Sequence, residues 1–157
     1  MPVRGQQEIA MSQQSYLALL DALAHRSRGL DPRAFREAQS LVVAGRRIDF
    51  SFEPNPLDEA ESRIVLRCEI ARLSEPASEA LCRLLLRANN LWAGTRGATL
   101  GLRGDQVVIA SESARLASLN PERLAKIMAG LIEQVNAWAT ELDDPPFNRH
   151  LPLQHLA

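Results

Sequence analysis

The apolar residues of this chain switch from helical spacing to strict alternation and back, twice over, and that switching limits the fold more than any other feature. In "SYLALLDALAHRSRG" Tyr16, Leu20 and Leu23 share one helical face, with Leu19 and Ala24 beside them, and Gly29 offers a stop. In "SLVVAGRRIDFSFE" the period becomes two: Ile48, Phe50 and Phe52 point one way, and Arg47, Asp49, Ser51 and Glu53 the other. With Leu41 to Val43 and a turn at Ala44 and Gly45, this predicts a hairpin. A third strand follows in "RIVLRCEIARL", where Ile64, Leu66, Cys68 and Ile70 alternate with Val65, Arg67 and Glu69. Between the first helix and the hairpin, "LDPRAFREAQ" predicts a short helix opened by Asp31 and Pro32.

Helical spacing returns from about Pro76 to Trp92, with Ser74 or Glu75 as cap. Ala77, Ala80, Leu81, Leu84, Leu85, Ala88 and Leu91 repeat at three and four residues, and Cys82 and Leu86 widen the apolar face, leaving Glu79, Arg83, Arg87 and Asn90 as a polar stripe. A helix apolar over most of its circumference needs cover on more than one side, and a second subunit would supply it. "ATLGLRGDQVVIAS" predicts another hairpin, with a two-residue turn at Gly104 and Asp105 pairing Leu102 with Val107 and Leu100 with Ile109. The last helix opens at Asn120 and Pro121 and carries a seam of Leu124, Met128, Leu131, Val135, Trp138 and Leu142. Antiparallel strands in runs, separated by single helices, indicate a single α+β domain of order α-β-β-β-α-β-β-α, an antiparallel sheet packed by helices. Residues 15–142 form that domain; 1–14 are expected as a flexible arm and 143–157 as a flexible tail containing Pro145 and Pro146.

Composition narrows the function. Charged residues make up 24% of the chain and the formal net charge is -1, which offers no electrostatic footprint for nucleic acid. No stretch reaches the ~18 apolar residues of a membrane span, and "MPVRGQQEIAMSQQS" lacks a signal peptide's apolar region, so a cytosolic location is expected. Cys68 and Cys82 sit in no metal-binding spacing and read as reduced thiols.

Gly94, Gly97, Gly101 and Gly104 suggest a phosphate loop, but the Walker lysine and hydroxyl residue are missing and the run follows a helix rather than a strand. His25, His150 and His155 lie on a helix end and in the tail; Asp58, Glu59, Glu61, Asp143 and Asp144 read as solvated surface. With no catalytic constellation, no cofactor site and no metal site, the expectation is a binding protein rather than an enzyme.

The stretch "LCRLLLRANNLWAGTRGATLGLRGDQVVIAS" resembles the class I chaperones of bacterial type III secretion, the Tir-chaperone (CesT-like) type: a leucine-rich helix ending in an alanine-asparagine pair, a short turn, an "LGL" strand and a valine-rich strand. "LNPERLAKIMAGLIEQVNAWATEL" resembles that family's closing helix. The resemblance implies a cytoplasmic homodimer that uses no cofactor, enters no membrane, and holds an extended segment near an effector's N-terminus, with the secretion-system ATPase as a further partner. It places the dimer contact on Leu81, Leu84, Leu85, Ala88, Leu91 and Trp92, and the client contact on Leu17, Val42, Phe50 and Val65. Of these, Val42 and Val65 are apolar where the alternation calls for polar residues. Members of the family are often acidic, whereas this chain is nearly neutral and carries the arginine-bearing insert "HRSRGLDPRAFREAQ". The alternative reading is a non-catalytic regulatory or adaptor module on the same fold, binding folded partners.

Overall fold

The computed structural model describes residues 4–90 and 95–143, with side chains from residue 12 onward. The elements are α1 (Arg4–Arg26), α2 (Pro32–Ala38), β1 (Ser40–Val43), β2 (Arg46–Glu53), β3 (Arg63–Arg72), α3 (Glu79–Asn89), β4 (Thr99–Arg103), β5 (Val107–Arg115) and α4 (Pro121–Asp143), with short 3-10 turns at 59–61 and 116–118. The five strands make one antiparallel sheet in the order β1-β2-β3-β5-β4. This is the expected α+β order with the short α2 inserted. α1 includes most of the residues expected as an arm, beginning at Arg4 rather than near Ser15.

One face of the sheet carries the core. Ile48, Phe50, Ile64, Leu66, Cys68, Val108 and Ala110 are buried there beneath α1 and α4. α1 contributes Tyr16, Leu19, Leu20, Leu23 and Ala24, and α4 contributes Leu124, Met128, Leu131, Val135 and Trp138, as the helical spacing predicts. Asp31 caps α2 by accepting from the Arg33 N–H at 3.0 Å, and Asn120 caps α4 by accepting from the Arg123 N–H at 2.8 Å. Gln39 ties the β1 end together. Its backbone sits in the left-handed region (φ 46°); its N–H donates to the Phe35 carbonyl, its carbonyl accepts from the Phe50 N–H, and its side chain accepts from the Tyr16 hydroxyl at 2.8 Å.

Two expectations are corrected. α3 starts after the Ser78 cap rather than near Pro76, because the preceding segment is drawn onto the β4–β5 turn: the Leu73 and Ala77 N–H groups donate to Gln106 and Asp105 carbonyls, each at 2.7 Å. The same contacts hold residues 104–106 as a three-residue turn, so Leu102 pairs with Val108 and Leu100 with Ala110, not with Val107 and Ile109. A slip of one residue exchanges the faces of a whole strand. Val108 and Ala110 therefore fill the core, Val107 and Ile109 turn to the other side, and Glu112 lands directly across from Leu66 on the core face.

Candidate interaction surfaces

α3 seals one end of the core with Leu81, Leu85 and Ala88, all buried against the chain's own sheet. The residues expected at a dimer contact are thus divided. Leu84 is half-buried, and Leu91 and Trp92 lie outside the described residues. The large apolar side chain that α3 leaves exposed is Leu86, at 72%, which the sequence pattern places only at the margin of the apolar face. Glu79 and Arg83 pair at 2.7 Å on the same helix, leaving Leu86 beside a polar stripe.

The client candidates are also divided. Val42 on β1 is 66% exposed, and Leu17 is half-buried against the core. Phe50 is 4% exposed, held edge-on against Phe35 with ring centroids 5.4 Å apart, so it belongs to the core rather than to any surface. Val65 does point to the outer face of the sheet, yet is only 6% exposed. The serines directly across from it, Ser51 and Ser113, accept from Arg67 at 2.6 Å and Arg63 at 3.2 Å, and these two arginines flank and cover the valine.

β1 forms a free edge of the sheet. Its hairpin closes through Ala44 and Gly45, both at positive φ, as a type I′ turn. Hydrogen-bonded pairs then alternate along the ladder, so Ser40 and Val42 direct their N–H and C=O groups away from β2. The exposed Val42 side chain stands above those outward groups. Arg26 and Arg28 at the end of α1 are exposed nearby in sequence, whereas Arg36 is paired with Asp21 and Arg33 with Glu37 at 3.0 Å.

Shallow grooves mark the surface formed by the described residues. One of about 370 Å³ runs between α1 and the two 3-10 turns, lined by Leu19, Leu116 and Leu119 and crossed by a Ser12 hydroxyl that donates to Glu59 at 2.6 Å. A second, about 350 Å³, lies between α4 and β5 and holds Arg96, Glu112, Arg123, Lys126 and Glu133. A third, about 400 Å³, lies on the outer sheet face around Val65. Burial pushes the Glu112 carboxyl up, the Cys68 thiol up, and the Tyr16 phenol up to about 12. Among the described residues no group of three or more histidine, cysteine or acidic side chains is placed to hold a metal ion, and no helix is long and apolar enough to cross a membrane.

The Tir chaperone protein (CesT) family model matches residues 56–139, from the loop before β3 through most of α4. The chain belongs to this family of type III secretion chaperones. A chain of the HopA1–SchA chaperone–effector complex superposes with a TM-score of 0.60 at 25% identity, covering 88% of this chain and 99% of that one. A chain of the ExsC–ExsE complex gives 0.58 at 20% identity, covering 81% and 92%, which establishes likeness of fold. No curated protein matches the sequence. The family segment begins after β1 and β2, so the chain's open edge lies outside the matched residues.

Proposed function

We propose that this CesT-family protein is a homodimeric, non-enzymatic chaperone of the bacterial cytosol. It binds an extended segment near the N-terminus of one or more secreted effectors, keeps that segment non-globular, and presents it to the secretion machinery, including its ATPase. The likeness to a chain of a chaperone–effector complex over nearly the whole molecule supports this reading, and the family supplies the class of client. The single observation that carries it is the β1 edge, where outward backbone groups meet an exposed Val42. An extended client can satisfy those groups by adding a strand, with apolar side chains at alternate positions flanking Val42. The second subunit covers the outer side of α3, where Leu84 and Leu86 lie; Leu81, Leu85 and Ala88 support that contact from beneath.

Co-expression with candidate effectors, followed by limited proteolysis, tests the client role. A protected extended segment near an effector's N-terminus is the expected result. Protection of a folded partner surface without such a segment would move the protein to the adaptor reading. Light scattering after size exclusion should give twice the monomer mass, and a strict monomer at micromolar concentration would remove the dimer.

A further inference from the structure

At the second edge of the sheet a side chain occupies the outward backbone groups of the central part of β4. The Leu100 N–H on β4 donates to Asn89 Oδ1 at 2.8 Å, and the Leu100 carbonyl accepts from Asn89 Nδ2 at 2.7 Å. Both groups point away from β5, since each would otherwise belong to the ladder with Ala110. The carboxamide thus offers one donor and one acceptor to one residue, the pairing that a neighbouring strand's peptide groups would make. Only one orientation of the amide satisfies both bonds. Asn89 is the last residue of α3, so the same contact fastens that helix to the strand it precedes.

We propose that Asn89 is a lock that denies the β4 edge to an incoming strand, and so confines strand addition to β1. An unprotected edge is a template for pairing with any extended chain, including a second copy of this one. At β1 that property serves the proposed function; at β4 it would admit unwanted partners. The inference rests on the chaperone reading only for the use made of β1, and the lock itself is testable with the chaperone alone.

The experiment compares the full-length protein with Asn89→Ala by hydrogen exchange and by light scattering over a range of concentrations. Loss of the lock should raise exchange at the Leu100 amide about tenfold, as expected for loss of one such bond. It should also produce species larger than the parent's that grow with concentration, in which the Leu102 amide, the next outward group on β4, becomes protected. Faster exchange at Leu100 with no added association would overturn the proposal and leave Asn89 as a stabilising tie. So would association that leaves Leu102 unprotected, since it would run through another surface.

Should Asn89→Ala fail to fold, Asn89→Asp retains the acceptor for the Leu100 N–H and loses the donor while ionised. That variant should associate at neutral pH and revert towards the parent as the new carboxyl protonates near pH 4; association unaffected by that change, or none at either pH, would equally overturn the lock. A parent protein that captures no extended effector segment removes the chaperone reading without touching these outcomes.

Discussion

The two ends of one sheet receive opposite treatment. At β4 a helix packs alongside the edge strand, and Asn89 occupies both outward groups of Leu100. At β1 the strand is only four residues long, no side chain among the described residues clamps its outward groups, and Val42 stands exposed above them. Both strands obey the same ladder geometry, so the difference comes from what precedes each one. α2 is capped by Gln39, whose bonds run inward to Phe35, Phe50 and Tyr16; α3 ends in Asn89, whose side chain runs outward along the strand. An amide side chain at a helix end can therefore hold a core together or close an edge, according to which way the helix delivers it.

The largest effect that separates inside from outside at β1 is expected for Phe50→Ala. Phe50 is buried against Phe35, and truncating a buried phenylalanine costs about 3–5 kcal/mol. Denaturant unfolding should show that loss. A variant of unchanged stability that no longer captures client would mean that Phe50 leaves the core to bind. At the β4 end, Leu86→Glu sets a charge on the face that a second subunit would bury, a penalty of about 2–3 kcal/mol at the interface and about a hundredfold in dimer affinity. Sedimentation or light scattering reads the shift from two copies to one, and unfolding of the isolated chain should be little affected. A dimer undisturbed by this change would place the contact elsewhere. Val42→Asp attacks the open edge from outside: capture of an effector segment should weaken by about tenfold, while chain stability stays within about 0.5 kcal/mol. If capture is unchanged, β1 is not the edge that the client uses.

Much of this contrast was legible in the sequence, and the parts that were not have a common cause. Period alone gave the β2 and β3 faces and the α4 seam, and local chemistry gave the Asp31 and Asn120 caps, because each signal lies within a few residues of the element it controls. The length of the 104–106 turn does not. Gly104 suits a two-residue turn as well as a three-residue one, and the choice is made by Leu73 and Ala77, some 30 positions earlier, which bond the turn's carbonyls. Those same bonds unwind the start expected for α3. The surfaces were harder still. Val65 had the right pattern for an exposed apolar residue, but Arg63 and Arg67 cover it through serines on two neighbouring strands. Leu86 had an unremarkable place in a leucine-rich helix, and its exposure follows from which side of α3 meets the sheet. Asn89 was visible as a helix-ending residue; its side-chain pairing with Leu100 depends on β4 arriving alongside.

The smallest effect concerns Glu112, which the three-residue turn brings onto the core face across from Leu66, one strand in from the locked edge. It borders the groove that also contains Arg96, Arg123, Lys126 and Glu133, and on its other side the groove with Glu53, Arg63 and Thr99. Despite these cations, burial dominates and raises its carboxyl above the usual glutamate range. The folded state therefore keeps a proton that the unfolded chain has already released. Its contribution to stability is largest below the ordinary glutamate pKa and is lost as pH rises through the raised folded value. Glu112→Gln removes the ionisation while keeping the shape. It should leave stability almost unchanged near pH 4 and raise it at pH 7, by less than about 1 kcal/mol because the group is partly solvated. Thermal unfolding of the two proteins across that interval would measure the difference. A Glu112→Gln protein that is less stable than the parent at pH 7 and equal to it near pH 4 would instead mean that the neighbouring cations outweigh burial, and that the groove beside the β4 end holds its carboxylate charged.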